Sequence, residues 1–179
     1  RRYDEAKAAL DRAQTLDAKN LRLYLLRAMI HRKQKHNDAA LEALDTALSI
    51  NEENAFLHDQ RGRLLLKMGQ KERAAADFRR ELAIEKTPDD YFTSPFALYF
   101  LGQPKAAAAR TDSIMVKGDE EQAYNAACVY ALCGNKQQAL TYLERALKNR
   151  KYTDFDHIDT DTDLDGLRND ADFKALVKQ

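Results

Sequence analysis

Apolar residues recur along the chain at the spacing of helix faces, and short polar turns separate them. The stripe that follows residue 20 predicts one helix over residues 21–34. A polar turn at Lys35-His36-Asn37 ends it, and a second apolar stripe predicts the next helix. The two stripes consist of Leu21, Tyr24, Leu25, Ala28 and Met29, and of Ala40, Leu41, Leu44, Ala47 and Leu48.

This pattern repeats along the chain. Each second helix has an alanine in its first turn. Successive copies of this alanine are 34, 34, 33 and 32 residues apart. A nearly constant period of this length predicts an array of stacked helix pairs. The repeated residues are Ala6, Ala40, Ala74, Ala107 and Ala139.

Residues at the expected helix ends agree with the period. Asn20 and Asn54 are placed to cap the next first helices, and Pro104 suits the first turn of a second helix. Three glycines stand where a helix must end in the left-handed conformation: Gly69, Gly102 and Gly134. Pro95 cannot sit comfortably within a helix, so we expect its helix to start late with Ser94 as N-cap, or to be kinked.

The period and its motifs resemble the tetratricopeptide repeat, a 34-residue helix–turn–helix unit. Two segments carry the resemblance: Leu66…Gly69…Ala74, and Tyr124-Asn125-Ala126-Ala127…Tyr130…Gly134…Ala139. Small residues stand where the two helices of a unit must approach closely, at Ala28, Gly62 and Ala127. The resemblance implies an all-α, right-handed solenoid of antiparallel helix pairs. The proline that usually ends a unit is replaced by Ala18, Glu52 and Lys86.

The resemblance covers residues 1–150, as a partial repeat 1–20 and four units: 21–54, 55–87, 88–119 and 120–150. Residues 151–179 carry a net charge of −4. We interpret this segment as an acidic linker and a C-terminal capping helix, because a solenoid needs a cap with a polar outer face. Its string Asp-Leu-Asp-Gly-Leu-Arg-Asn-Asp resembles the ends of bacterial tetratricopeptide proteins.

Composition and charge narrow the classes of function. The chain contains 28 alanines and 23 leucines but only 8 valines and isoleucines together. This composition favours helices over sheets. Lys plus Arg equals Asp plus Glu at 29, which gives no reason to expect nucleic acid as a partner. No apolar run approaches the roughly 20 residues of a membrane span, so we expect no membrane insertion.

No catalytic or cofactor motif is recognised, so we expect a non-enzyme without cofactors. Cys128 and Cys133 lie five apart in a predicted helix, a spacing poorly suited to a disulfide. We interpret them as small free core residues, with redox and metal roles as alternatives.

One acidic segment resembles part of a calcium-binding loop in its sequence pattern. Asp161-x-Asp163-x-Asp165-Gly166 matches the start of an EF-hand loop. An EF-hand loop has Glu at its twelfth position and usually an apolar residue after its seventh. This chain has Asp172 and Arg168 at those two positions. An acidic segment that caps a helix explains these aspartates without a metal, and calcium remains a weak candidate.

In the resembled family the first helix of each unit lines an inner groove, and stacking leaves that surface free for partners. The resemblance implies a peptide-binding groove formed by Arg22, Leu25, Met29, Arg32, Asp59, Arg63, Phe92, Phe96, Tyr99 and Tyr124. The alternative for its aromatic residues is that they pack between units.

We therefore interpret the chain as a non-catalytic protein–protein interaction scaffold. The expected partner is an unidentified protein or peptide, a helical or extended segment with some acidic character to meet the arginines. One alternative is a structural spacer that self-associates through its aromatic residues. The other is a regulatory docking tail of a larger protein that continues upstream of Arg1.

Overall fold

The computed structural model describes residues 2–84, 93–116, 122–148 and 155–177. They fall into two compact units, residues 1–85 and 86–179. The described residues form helices and no strands, as the composition predicts. None of these helices is long and apolar enough to cross a membrane.

The first unit contains a leading helix and two helix pairs. The leading helix is α1 (Arg2–Leu16). The first pair is α2 (Leu21–Lys33) with α3 (Asn37–Ile50), and the second is α4 (Ala55–Lys67) with α5 (Lys71–Ile84). Asn20 and Asn54 cap α2 and α4 as predicted, since their side chains accept hydrogen bonds from Arg22 N and Leu57 N.

The apolar stripes of α2, α3 and α4 pack into one core. Small residues allow the close helix contacts that the sequence predicts. A Cβ added to Gly62 would lie 2.7 Å from Phe78 Cε1, closer than carbon atoms can approach, so α4 and α5 meet at van der Waals distance only because Gly62 has no side chain. The core residues are Tyr24, Ala28, Ala40, Ala43, Leu44, Ala47, Leu48, Leu57 and Leu64.

The turn inside each helix pair has the same geometry four times. Gly69, Gly102 and Gly134 adopt φ of 75° to 77°, which confirms the predicted left-handed ends. The residue after each one donates its N–H to a carbonyl five residues earlier, as in Gln70 N to Leu65 O at 2.9 Å. In the first pair the same position is Lys35, with φ of 62°. The turn therefore forms there without glycine.

The second unit begins with two further helix pairs. The first is α6 (Ser94–Phe100) with α7 (Pro104–Met115), and the second is α8 (Ala123–Leu132) with α9 (Lys136–Lys148). Helix α6 starts late, as Pro95 predicts. Its N-cap is Thr93 and not Ser94, so the predicted cap was wrong by one residue, because Ser94 already has helical geometry.

The C-terminal segment folds into three short helices: α10 (Phe155–Thr160), a 3₁₀ helix (Thr162–Leu167) and α11 (Ala171–Val177). Asp161 caps the 3₁₀ helix, and Asp170 accepts hydrogen bonds from the first N–H groups of α11. The segment joins the core of the second unit through Ile158, Leu164, Leu167 and Phe173, each at most 4% exposed.

Candidate functional site

The predicted groove positions of the first unit lie on one face of α2. Arg22, Leu25, Met29 and Arg32 follow one another at intervals of three or four residues, so their side chains share that face. Leu25 is half-buried against the core, whereas Met29 is 56% exposed. The middle of this face therefore offers an apolar contact to solvent.

Helix α4 adds charged groups beside that face. Arg32 Nη1 donates a hydrogen bond to Gln60 Oε1 at 2.9 Å, and Gln60 Nε2 donates to Asp59 Oδ2 at 2.9 Å. Arg63 Nε donates to the other oxygen of Asp59 at 2.7 Å. Asp59 is 2% exposed and Arg63 is partly buried. The four side chains form a continuous chain of hydrogen bonds across two helices.

We call the surface formed by Arg22, Leu25, Met29, Arg32, Asp59 and Arg63 the α2–α4 face. Burial lowers the pKa of Arg32, and the positive charge of Arg63 lowers it further, while Asp59 opposes both effects. Arg32 and Arg63 therefore repel each other across the Asp59 carboxylate. An incoming anion would relieve that repulsion.

The predicted aromatic positions of the second unit have a different environment. Phe96 is 4% exposed and belongs to the core, and Tyr99 is half-buried with its ring 5.4 Å from that of Phe100. Phe92 lies outside the described residues. For Phe96, the position in the core corresponds to the packing alternative that the sequence left open.

Tyr124 and Cys128 on α8 are covered by the chain's own C-terminal segment. They are 8% and 2% exposed. Tyr124 Oη donates to Asp161 Oδ2 at 2.7 Å, and the Tyr124 ring lies 5.8 Å from the His157 ring. Cys128 Sγ lies 3.7 Å from the same Asp161 oxygen. A partner that approached these two positions would first meet residues of this chain.

The aspartates of the calcium-like motif have roles in the local fold. Asp161 Oδ1 accepts from Asp163 N at 3.0 Å, which caps the 3₁₀ helix. Asp165 Oδ1 accepts from Arg168 Nε at 2.8 Å. Arg168 Nη2 also donates to the carbonyl oxygen of Asp161 at 2.7 Å. The segment is therefore a 3₁₀ helix held by an arginine, and Asp165 pairs with that arginine where an EF-hand loop would direct its carboxylate to calcium.

A charged cluster between α4 and α5 was not foreseen from the sequence. Arg61 donates to both carboxylate oxygens of Asp77, at 2.8 and 2.7 Å. His58 Nδ1 lies 2.8 Å from Asp77 Oδ1, and its Nε2 lies 3.0 Å from the carbonyl oxygen of Glu52. Burial raises the pKa of Asp77, but the hydrogen bonds from Arg61 and His58 outweigh it and hold that pKa below its usual value. The cluster joins one helix pair and is a structural feature.

Gln60 lies beside the α2–α4 face and was not among the predicted groove residues. It bridges Arg32 and Asp59, yet its position follows directly after Asp59, and adjacent helix residues do not normally share a face. Only the side-by-side placement of α2 and α4 reveals its role. A long polar side chain next to a predicted groove residue is the one weak signal in the sequence.

Comparison with known proteins connects these features to a family. Residues 21–54 and 123–152 match the family model of the tetratricopeptide repeat. A chloroplastic protein from Arabidopsis thaliana is 40% identical over 83 residues, which is 44% of this chain and 24% of that relative. The chain therefore spans about a quarter of that curated relative.

Several solved structures are similar to this chain. PilW, a widely conserved type IV pilus biogenesis factor, superposes with a TM-score of 0.62 at 23% identity, over 97% of this chain and 82% of PilW. YrrB, a TPR protein with an unusual peptide-binding site, gives a TM-score of 0.48 at 23% identity, over 83% of this chain and 79% of YrrB. The PilW superposition confirms the predicted fold class, which is all-α and built of tetratricopeptide-type helix pairs.

Proposed function

We propose that the α2–α4 face binds a segment of a protein partner, because residues 21–54 and 123–152 match the tetratricopeptide repeat, whose units are protein–protein interaction modules. The segment carries at least one carboxylate, which pairs with Arg32 and Arg63, and an apolar side chain, which packs on Met29 and Leu25. Arg22 contributes further positive charge at the other end of α2.

The chain of hydrogen bonds through Arg32, Gln60, Asp59 and Arg63 is the observation that carries this proposal. Long arginine side chains normally lose considerable conformational freedom when they bind a ligand. Here Gln60 and Asp59 already hold the two guanidinium groups, which lowers that entropic cost. Burial lowers the pKa of Arg32 and the nearby positive charge of Arg63 lowers it further, so a carboxylate brought near both by a partner would be favourable.

Met29 supplies the apolar part of the face. Methionine is flexible and polarizable, so it adapts to partner side chains of different shape. Its 56% exposure is high for a large apolar side chain, and Leu25 beside it is half-buried. Methionine and arginine are both enriched in the buried centre of protein–protein interfaces.

The proposal is tested by selection of peptides from a random displayed library on the immobilised wild-type chain. The best peptide is then titrated by fluorescence anisotropy against the wild type and Arg32→Gln/Arg63→Gln. Arg79→Gln is the matched control, because Arg79 is an exposed arginine of the same unit on α5, outside the α2–α4 face. Circular dichroism verifies that each variant folds.

We expect selected peptides rich in Asp and Glu, with at least a tenfold weaker affinity for the double variant and no change for Arg79→Gln. Affinity should fall as salt concentration rises, because the contact is ionic. Selected peptides without acidic residues, or binding equally strong in the double variant, would contradict the proposal.

A further inference from the structure

Three potential metal ligands from two distant parts of the chain meet at the covered face of α8. The ligand atoms of Cys128, Asp161 and Asp163 all lie within 4.8 Å of one another. His157 Nε2 lies 3.4 Å from Asp161 Oδ2. The thiol and the two carboxylates form one group of ligand atoms, and the His157 imidazole lies beside this group, next to Asp161 Oδ2.

Two distances to Asp161 Oδ2 are close to the edges of a tetrahedral zinc site. Bonds of about 2.3 Å to sulfur and about 2.0 Å to oxygen or nitrogen place sulfur and oxygen about 3.5 Å apart, and nitrogen and oxygen about 3.3 Å apart. The observed distances are 3.7 Å from Cys128 Sγ to Asp161 Oδ2 and 3.4 Å from His157 Nε2 to the same oxygen.

The surroundings of Asp161 suit a metal ligand. Tyr124 Oη donates to Asp161 Oδ2 at 2.7 Å, and Arg168 Nη2 holds the Asp161 carbonyl oxygen. Such neighbouring hydrogen bonds orient ligand carboxylates in known metal sites. Cys128 is 2% exposed, whereas half of the His157 side chain is exposed, so an ion could enter from the His157 side.

The electrostatics of the region also favour a cation. Ligand oxygens of the Asp161 and Asp163 carboxylates lie within 4.8 Å of the Cys128 sulfur. A bound divalent ion would stabilise the thiolate and offset the negative charge of the two carboxylates.

We propose that Cys128, His157, Asp161 and Asp163 form a binding site for one divalent ion of the zinc type. On binding, the ion forms bonds to the Cys128 sulfur, the His157 imidazole and the two carboxylates. The proton of the Cys128 thiol is released to solvent, and no electron is transferred. The mixed set of sulfur, nitrogen and oxygen ligands selects zinc or cobalt over calcium, which binds oxygen ligands.

Cobalt(II) is the probe, because thiolate–cobalt bonds produce a charge-transfer absorption that carboxylates alone do not. The full chain, reduced and freed of metal by a chelator, is titrated with Co²⁺ and then with Zn²⁺. The variants are Cys128→Ser, Asp163→Asn and His157→Ala. The matched control is Cys133→Ser, which removes the other free cysteine, a thiol beside the Pro104 carbonyl.

We expect one equivalent of Co²⁺, a charge-transfer band, and loss of that band when Zn²⁺ is added. Cys133→Ser should behave as the wild type, Cys128→Ser should lose the band, and Asp163→Asn and His157→Ala should bind at least about tenfold more weakly. Circular dichroism verifies folding, and the half-exposed His157 provides a test even if Cys128→Ser unfolds. Absence of the band in the wild type, its persistence in folded Cys128→Ser, or its loss in Cys133→Ser would overturn the proposal. Binding of Ca²⁺ alone would overturn it as well.

Discussion

The two segments that match the repeat family differ in burial at equivalent positions of their first helices. In α2 these positions are Leu25 and Met29, which are half-buried and 56% exposed. In α8 they are Tyr124 and Cys128, which are 8% and 2% exposed. The same repeat pattern thus provides an accessible apolar contact in one segment and a buried core in the other.

The difference comes from what contacts each helix. Across the face of α2 lies α4, whose Gln60 and Asp59 hold the two arginines at the side and leave Met29 exposed. Across α8 lies the C-terminal segment, which places Asp161 and His157 over Tyr124. A position in a repeat therefore determines which way a side chain points. Whether a partner can reach that side chain depends on which other segment of the same chain packs next to it.

The largest expected effect concerns Ile158, a buried apolar residue of the C-terminal segment that covers α8. Ile158→Ala should lower the free energy of unfolding by about 2–5 kcal/mol, because Ile158 is fully buried and the change leaves a cavity. Met29→Ala should change it by less than about 0.5 kcal/mol, since Met29 is exposed. Urea denaturation followed by circular dichroism measures both. Equal effects of the two substitutions would contradict the distinction between the accessible α2–α4 face and the covered face of α8.

The next effect concerns the charged cluster between α4 and α5. Asp77→Asn should destabilise the chain by roughly 3 kcal/mol at neutral pH, because the partly buried Arg61 and the buried His58 lose a charged acceptor. Thermal denaturation of the wild type and the variant measures this difference.

The pH dependence of that difference follows from the lowered pKa of Asp77. A carboxylate with a lowered pKa in the folded state stabilises the fold at pH values above its unfolded pKa of about 3.9. That contribution is lost as the pH falls through the lower pKa of the folded state. The melting temperatures of wild type and Asp77→Asn should therefore converge below about pH 4. A constant difference from pH 7 to pH 2 would contradict this role of Asp77.

A smaller effect is expected at the hydroxyl that ties α8 to the C-terminal segment. Tyr124→Phe removes the hydrogen bond to Asp161 and should cost about 1.5–3 kcal/mol, the usual range for a bond to a charged group. Tyr99→Phe is the control: among the described residues its hydroxyl makes no hydrogen bond, so its cost should stay within about 0.5 kcal/mol. Urea denaturation compares the two, and a Tyr124→Phe cost no larger than the control would show that the bond contributes nothing.

The smallest effect distinguishes the first turn from the three glycine turns. Lys35→Gly should stabilise the chain by about 0.5–1 kcal/mol, because the left-handed φ of 62° strains a residue with a side chain. Lys33→Gly, two residues earlier at the end of α2, should instead destabilise it by up to about 1 kcal/mol. Melting temperatures of the two variants should move in opposite directions, and a lower value for Lys35→Gly would refute the strain.

Much of the fold could be predicted because local features determine it. The apolar stripes, the asparagine caps and the three glycine turns act within a few residues of one another, and each appears in the structure as expected. Lys35 shows the limit of this reasoning. Nothing in its residue type indicates a left-handed turn, and only the repeat of the turn geometry requires it.

Less of the candidate site could be predicted, because contacts between distant residues decide it. The sequence placed Arg32, Asp59 and Arg63 in the same groove, but the Gln60 bridge depends on the distance between α2 and α4. Tyr124 was assigned to the groove from its repeat position. The residue that accepts its hydrogen bond, Asp161, lies 37 positions later, and no local pattern reveals that contact.

The difference between the open and the covered face is tested most directly by the rate of thiol labelling at equivalent positions. In a Cys133→Ser background, Met29→Cys introduces a thiol on α2, and Cys128 serves as the internal reference on α8. Mass spectrometry after brief treatment with a soluble alkylating reagent separates the two sites. We predict rapid modification at position 29, and modification of Cys128 only under conditions that unfold the chain. Modification of Cys128 as fast as position 29 in the folded chain would contradict the account.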